Sequence, residues 1–223
     1  ILAYMTGANN TPETDNYPIS TNGGKTGTCP SANLVDAYEN ADGTPFDWNS
    51  LAPGADPYAD RDPRLQYSIV VNNSQWNGRT MQCYDGGTDG SGVTQATTTG
   101  YYLKKFLTDG LDLEKNQTSV HSWILFRYAE ILLNYAEAMN EAYGPDADPF
   151  GDGKTARWAV NEVRGRVGMP PVAASDETEM RGRIKHERRI ELAFEDHRFW
   201  DVRRWGKADA ESALKAPIMG VSI

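Results

Sequence analysis

The chain has 223 residues, enough for one large domain or two small ones, and carries a formal net charge of −9 at neutral pH. So acidic a surface repels nucleic acid and anionic membrane leaflets, and we therefore expect no nucleic-acid partner. No apolar run approaches the roughly 20 residues of a membrane-spanning helix, while six Trp and eleven Tyr indicate a core wrapped in long, ordered loops.

Residues 1–118 are dominated by turn formers such as Gly23-Gly24, Asp42-Gly43 and Asp85-Gly86-Gly87. Strand-like stretches interrupt these turns at Leu65–Val71 and Tyr101–Leu107. We predict a loop-rich lobe with a few short helices and hairpins. Its two cysteines, Cys29 and Cys83, are either free thiols or a disulfide that forms in an oxidising compartment.

After Ser119 the apolar residues follow a helical period. A first amphipathic helix is predicted over Trp123–Tyr143 and ends at Gly144-Pro145; Ile124, Tyr128, Ile131, Tyr135 and Ala138 share one of its faces. A second helix is predicted over about Thr155–Val167, with Gly168 as its left-handed cap. Its apolar face consists of Ala156, Ala159, Val160, Val163 and Val167.

A third helix is predicted to begin at the N-cap Asp176, because Glu179 stands three residues on, at capping-box spacing. It runs through Ile184, Ile190 and Phe194 toward Trp205, and Gly206 is its predicted C-cap.

The first two helices should form an antiparallel hairpin with small residues at the contact, namely Ala136, Ala138, Ala156 and Ala159. Such a hairpin resembles a single tetratricopeptide-like unit, which cannot bury its outer face without a stacked neighbour. We therefore expect the face around Tyr128 and Ile131 to be exposed or covered by other chain.

Six sequence blocks resemble, in the same order, blocks of the SusD/RagB family of outer-membrane glycan-binding lipoproteins. The blocks are Cys29–Gly43, Asp60–Leu65, Thr99–Leu107, Arg127–Ala142, Ala159–Pro170 and Glu187–Gly206. The resemblance implies a mainly α fold, in which a tetratricopeptide-like helical hairpin and a long C-terminal helix pack with a loop-rich lobe containing a few short strands. It implies an irregular ligand lobe over 1–118 and a helical SusD-like C-terminal region over 119–223, together one continuous domain truncated at both ends.

The same resemblance implies a non-catalytic protein of the outer membrane and cell surface, lipid-anchored in its full-length form. Such a protein captures oligosaccharides, or other nutrients, and delivers them to a TonB-dependent, SusC-like transporter. We expect no enzymatic activity and no cofactor. Two alternatives stay open: a tetratricopeptide-type protein-interaction scaffold, and a helical glycoside hydrolase, which would need two carboxylates flanking a cleft.

Four aromatic residues on turns of the first half are candidate ligand-binding residues: Trp76, Trp48, Tyr58 and Tyr84. An aromatic face is an apolar platform on which the C–H face of a sugar ring can stack. Trp76 ranks first because Asn72, Asn73, Gln75 and Asn77 surround it, and Trp48 second because it lies between Asp47 and Asn49. The competing interpretation is that these rings, with Tyr17, form small cores that pin long loops.

Charged residues of the second half favour a structural role. In Glu187–Arg204, carboxylates and arginines recur at helical i, i+3 spacing, which indicates an ion-pair lattice that keeps the carboxylates ionised. The three histidines, His121, His186 and His197, are interpreted as capping or solvated residues. The connector Asp146–Gly153 resembles the start of a calcium loop but has Phe150 at the fifth position, so a solvated connector is favoured and no metal site is assigned.

Overall fold

The computed structural model describes residues 1–222 and is mainly helical, as predicted. The helices in this range are α1 (Thr11–Asn16), α2 (Ala32–Val35), α3 (Arg64–Ser68), α4 (Tyr128–Tyr143), α5 (Ala156–Gly165), α6 (Glu177–Glu191), α7 (His197–Arg204) and α8 (Lys207–Leu214), with a 3₁₀ turn at Trp48–Ser50. The strands are β1 (Leu2–Met5), β2 (Ile69–Val70), β3 (Gln75–Trp76), β4 (Arg79–Thr80), β5 (Tyr102–Leu103) and β6 (Ser122–Phe126). They pair two by two, as β1–β6, β2–β5 and β3–β4.

The chain forms two compact units. The first, here called the helical unit, contains Ile1–Leu2, Ala37–Arg64 and Ile124–Ala216. The second, here called the loop unit, contains Ala3–Asp36, Leu65–Trp123 and the segment from Pro217 onward. The division into a ligand lobe over 1–118 and a helical region over 119–223 stays a prediction.

The core of the helical unit lies among α4, α5 and α6, which pack against one another. Its buried members are Leu132, Leu133, Ala136, Ala159, Val160, Val163, Val172, Met180, Ile184 and Leu192. Ala136, Ala156 and Ala159 are fully buried, as the predicted small-residue contact requires, because side chains of this size let two helices approach closely.

The prediction for α4 was wrong at its start and for Ala138. Trp123–Phe126 lies in strand β6, because Trp, Ile, Leu and Phe fit a pleated strand and β1 pairs with it. The helix buries Leu132, Leu133 and Met139, and Ala138 is exposed instead of lying at the hairpin contact.

The expected open face of the hairpin is present. Tyr128 and Ile131 are exposed on α4, while Tyr135 is half-buried and donates its hydroxyl to the carbonyl of Lys154 at 2.6 Å. An exposed apolar stripe on a helix hairpin is typical of one unit of a stacked array.

The predicted N-cap of α6, Asp176, is confirmed, and α5 has an N-cap at Thr155 that was not predicted. Thr155 accepts a hydrogen bond from the backbone N–H of Trp158 at 3.0 Å, and Asp176 accepts one from that of Glu179 at 2.9 Å. Gly168 follows α5 with φ +77°, a left-handed conformation that glycine adopts without a Cβ clash.

The third predicted helix is broken in two. Phe194 and Asp196 both have positive φ, which ends α6 at Glu191 and starts α7 at His197. The guanidinium of Arg127 donates to the carbonyl of Glu191 at 2.6 Å, which satisfies a backbone acceptor that the break frees. Gly206, predicted as the C-cap of the whole helix, instead lies between α7 and α8.

In the loop unit the predicted strand at Leu65–Val71 is only partly correct, because helix α3 extends to Ser68 before β2 begins. Strands β2 and β5 pair antiparallel, with Val70 opposite Tyr102. Strands β3 and β4 form a tight hairpin whose turn residues, Asn77 and Gly78, both have positive φ. That pair is the preferred sequence of a two-residue hairpin turn, because both positions require the left-handed region.

Candidate functional site

Trp48 lies on the surface of the helical unit, at the start of the 3₁₀ turn, with 38% of its area exposed. Asp47 caps this turn by accepting the backbone N–H of Asn49 at 2.9 Å, and the hydroxyl of Ser50 donates to the Asp47 carbonyl at 2.7 Å. These local bonds fix the backbone that carries the ring. Asp47, Asn49 and Ser50 are themselves exposed and place polar atoms around it.

The Trp48 ring is supported by a second aromatic ring and a buried cation. Phe46 contacts it edge to face, with ring centroids 5.1 Å apart, and the guanidinium carbon of Arg61 lies 3.5 Å from the Phe46 centroid. Arg61 is buried and donates to the carbonyls of Tyr38 at 2.6 Å and Pro57 at 2.9 Å. The exposed ring therefore rests on a fixed stack.

Phe46 and Arg61 were not predicted from the sequence as parts of this site. The spacing of Phe46 and Trp48 could have predicted their contact. Asp47 between them is extended, and residues i and i+2 of an extended chain lie on the same side. Arg61 carries no comparable signal, because it comes from a separate turn.

Trp76, the first-ranked candidate, is buried rather than exposed. Only 2% of its area is accessible, and it packs edge to face on Tyr17 with ring centroids 5.9 Å apart. The loop-unit core around the two rings also contains Val70, Met81, Cys83 and Tyr102. Trp76 and Tyr17 therefore agree with the competing interpretation, in which these rings form a small core.

The amide side chains near Trp76 form hydrogen bonds within the loop unit. Asn77 accepts the backbone N–H of Gly110 at 2.9 Å, and its own backbone N–H donates to Asp109 at 2.7 Å. Asn72 accepts the backbone N–H of Cys83 at 2.9 Å. These hydrogen bonds connect the turn that carries Trp76 to other loops of the same unit, in which the tryptophan ring is buried.

The two tyrosine candidates lie in different environments. Tyr58, in the helical unit, is buried, with only 4% of its area exposed. Tyr84, in the loop unit, is 39% exposed and opens a tight turn in which Gly87 donates to its carbonyl at 2.9 Å. Ligand contact by Trp48, Trp76, Tyr58 and Tyr84 stays a prediction.

An ion-pair lattice is present inside the helical unit, but its arginines come from outside Glu187–Arg204, the segment whose i, i+3 spacing predicted it. Its arginines are Arg64, Arg127, Arg164, Arg166 and Arg183, and its carboxylates are Glu39, Asp62, Glu187, Glu191 and Glu195. Five cations face five anions, so the lattice is neutral. A second set joins Asp201 to Arg188 at 3.0 Å and to Arg204 at 2.9 Å.

The lattice holds its central carboxylate ionised. Burial alone would raise the pKa of Glu191, but hydrogen bonds from Arg127 and Arg64 and the charges of both arginines lower that pKa to about 2. A general acid needs the opposite shift, toward neutral pH. This carboxylate is therefore suited to a structural role.

The histidines differ from expectation in one case. His121 is buried in the loop unit, where its Nε2 lies 2.8 Å from the carboxylate of the buried Glu13, so the prediction of a capping or solvated residue was wrong. His186 is half-buried, and desolvation lowers its pKa. His197 lies 3.7 Å from Glu130.

In the connector Asp146–Gly153, which resembles the start of a calcium loop, the carboxylates bind groups of the chain itself. Asp146 pairs with Arg157 through two hydrogen bonds of 2.6 and 2.8 Å, and Asp148 accepts the backbone N–H groups of Asp152 and Gly153. Across residues 1–222, no group of three or more His, Cys, Asp or Glu is arranged to hold a metal ion. Cys29 and Cys83 are free thiols, and burial raises the pKa of Cys83 to about 12.

The model of the SusD family matches residues 3–217. This chain belongs to the SusD family. The SusD-like protein P2 of Formosa agariphila is 28% identical over 165 residues, covering 70% of this chain and 31% of that protein. The SusD-like protein P38 of the same organism is 36% identical over 108 residues, covering 44% of this chain and 19% of that protein.

Solved SusD-like structures share the fold. A SusD-like carbohydrate-binding protein of Bacteroides fragilis superposes with a TM-score of 0.81 at 31% identity, covering 99% of this chain and 44% of that protein. A second SusD-like protein of B. fragilis superposes with a TM-score of 0.73 at 34% identity, covering 92% of this chain and 43% of that protein. The chain thus spans less than half the length of these relatives. None of the helices in the described range is long and apolar enough to cross a membrane.

Proposed function

We propose that this SusD-family chain takes part in the non-catalytic capture of oligosaccharides, or of other nutrients, at the bacterial surface. Membership of the family supports the proposal, as does the likeness to a B. fragilis protein described as carbohydrate-binding. The observation that carries it is the Trp48 platform, formed by Phe46, Asp47, Trp48, Asn49 and Arg61.

The Trp48 platform has the two properties that sugar binding needs. Its ring is partly exposed and held by Phe46 and Arg61, so little conformational entropy is lost when a ligand stacks on it. Asp47 and Asn49 supply exposed acceptors and donors beside the ring, which can bond to hydroxyl groups while the apolar face of the sugar stacks. Tyr84 is the exposed candidate of the loop unit.

The test is isothermal titration of the native protein with neutral oligosaccharides such as maltoheptaose, cellohexaose and mannohexaose, extended to a glycan array. Trp48→Ala should weaken the best-bound oligosaccharide roughly ten- to a hundredfold, the usual effect of losing a central aromatic contact. Trp200→Ala is the matched control, because Trp200 is also an exposed tryptophan of the helical unit. Equal affinity of both variants and wild type would overturn the role of Trp48.

Catalysis is not part of the proposal. The buried carboxylate of Glu191 is held by Arg64 and Arg127, which favours its ionised form and leaves it unsuited as a proton donor. A reducing-end assay on each bound oligosaccharide should detect no hydrolysis. Turnover that disappears in a single carboxylate variant with intact binding would contradict this part.

We further propose that the protein acts at the outer membrane, lipid-anchored, and passes its ligand to a TonB-dependent, SusC-like transporter. Membership of the SusD family supports this step. Affinity purification of the native protein from detergent-solubilised outer membranes should recover a large β-barrel protein. Its repeated absence under conditions that retain the protein itself would argue against the transporter partnership.

A further inference from the structure

A small cavity in the helical unit is lined by residues that the Trp48 platform does not use. It measures about 200 Å³ and is lined by Glu137, Glu141, Arg181, Ile184, Lys185, Arg204 and Trp205. It is smaller than the pockets of about 300–1,000 Å³ that hold drug-sized ligands, so a ligand with a single ring is the appropriate size.

The cavity has an apolar floor and a polar rim. Ile184 is 1% exposed at its base, whereas the side chains of Glu141 and Arg204 are 44% and 47% exposed, which shows that the space opens to solvent. The indole N–H of Trp205 donates to Glu137 at 3.0 Å. The ammonium of Lys185 lies over the Trp205 ring, 5.1 Å from the ring centroid. Because Lys185 covers that ring face, a ligand in the cavity would be held chiefly by hydrogen bonds to the rim.

Every cation of the rim is already paired with a carboxylate. Arg181 donates to Glu141 at 2.6 and 2.7 Å, and Lys185 donates to Asp209 at 2.8 and 2.9 Å. Arg204 donates to Glu137, with one of its two bonds at 2.9 Å. Asp209 beside the cavity offsets the third cation of the lining, and the carboxylate oxygens and guanidinium N–H groups of the rim keep further bonding capacity. Such a lining favours a neutral ligand with many hydroxyl groups over an ion.

The rim groups are also fixed in place. They project from α4, α6, α7 and the residue that follows α7, and α4 and α6 pack directly on one another. Side chains that are ordered by ion pairs before binding lose less entropy when a ligand arrives.

We propose that this cavity is a second subsite, which holds one neutral sugar ring through hydrogen bonds from the Arg181–Glu141 and Arg204–Glu137 pairs. The inference rests on the proposed function, since it names a further contact for the same class of ligand. It differs from the Trp48 platform in chemistry, because hydrogen bonds rather than aromatic stacking carry the recognition.

Two matched arginines of α6 allow a sharp test. Arg181 and Arg183 both pair with a glutamate and have side chains about equally exposed, at 32% and 36%, but only Arg181 lines the cavity. Saturation-transfer NMR and titration would use the methyl glycosides of glucose, galactose and mannose as neutral probes, and methyl glucuronide as an acidic one. At least one neutral glycoside should bind, and Arg181→Ala should weaken it at least tenfold while Arg183→Ala changes it less than twofold.

The outcomes separate the two proposals. Equal effects of both variants, binding of the acidic glycoside alone, or no binding of any probe would overturn the second subsite. Oligosaccharide binding that is lost in Trp48→Ala but unchanged in Arg181→Ala would leave the proposed function intact and remove only the subsite. If no oligosaccharide or glycoside binds at all, both proposals fail. Melting temperatures of the two arginine variants report whether folding is affected.

Discussion

Trp48 and Trp76 have similar neighbours in the sequence, yet one lies at the surface and the other in a core. Polar sequence neighbours do not decide whether a tryptophan ring is buried, because an amide side chain can form a hydrogen bond to another loop as well as to water or to a ligand. In the loop unit, Asn77 bonds to Gly110 and Asn72 to Cys83. Around Trp48, by contrast, the Asp47 bonds stay within one turn and leave the ring at the surface.

Substitution of the two tryptophans should therefore have different consequences for stability. Trp76→Ala removes a buried ring that packs on Tyr17 and should lower the free energy of unfolding by roughly 3–5 kcal/mol. Trp48→Ala should cost about 1 kcal/mol, since the ring is partly exposed and its main contact is Phe46. Urea denaturation of both variants measures the difference. A stability loss that is equal in the two variants would contradict the burial argument.

At the scale of single elements, the helix caps are local features that a substitution can isolate. Asp176→Ala and Thr155→Ala each remove a side-chain acceptor for a backbone N–H in the first turn of α6 or α5. Each should lower the free energy of unfolding by about 1 kcal/mol, within the usual range of about 0.5–2 kcal/mol for N-caps. Asp176→Asn, which keeps an acceptor, should retain most of the stability, and an equal loss in Asp176→Ala and Asp176→Asn would count against capping.

The break between α6 and α7 is an element that periodicity could not predict. Apolar residues continue at helical spacing through Ile190, Ala193 and Phe194, so the pattern alone extends the helix. The positive φ of Phe194 and Asp196 is unfavourable for each residue by itself. The free-energy cost of these two conformations is compensated by contacts from elsewhere in the helical unit, including the hydrogen bond from Arg127 to the Glu191 carbonyl.

For the molecule as a whole, the ion-pair lattice predicts how stability depends on pH. Glu191 has a folded-state pKa of about 2, below its usual 4.5, so its contribution is complete above about pH 4.5 and is lost as pH falls toward 2. A difference of this size corresponds to about 3 kcal/mol. Glu191→Gln should therefore be less stable than wild type at pH 7, and the difference should shrink as the pH is lowered.

Urea denaturation at pH 7, 5 and 3 measures this convergence. Glu211→Gln is a suitable control, since Glu211 is exposed and pairs only with surface lysines in the described part of the chain. Its stability should follow that of wild type at every pH. Stability differences for Glu191→Gln that stay constant from pH 7 to pH 3 would show that the carboxylate does not titrate as the lattice requires.

Sequence alone determined the features that depend on neighbours a few residues apart. The N-cap Asp176, the left-handed Gly168 beyond α5 and the Asp201–Arg204 ion pair follow from i, i+3 spacing or from the conformational freedom of glycine. The ordered family blocks added the mainly α fold. These features are local, so their physical causes are visible in short stretches of chain.

Tertiary structure decided which face of α4 is buried, which tryptophan is exposed, and which arginine meets which carboxylate. Arg127 and Glu191 are 64 residues apart, and Phe46 gains its cation from Arg61 in another turn. Such contacts depend on how distant segments pack, because burial and charge pairing are properties of the three-dimensional neighbourhood and not of sequence spacing. For the same reason the cavity beside Trp205, formed by residues from Glu137 to Trp205, has no signature in any one stretch of the sequence.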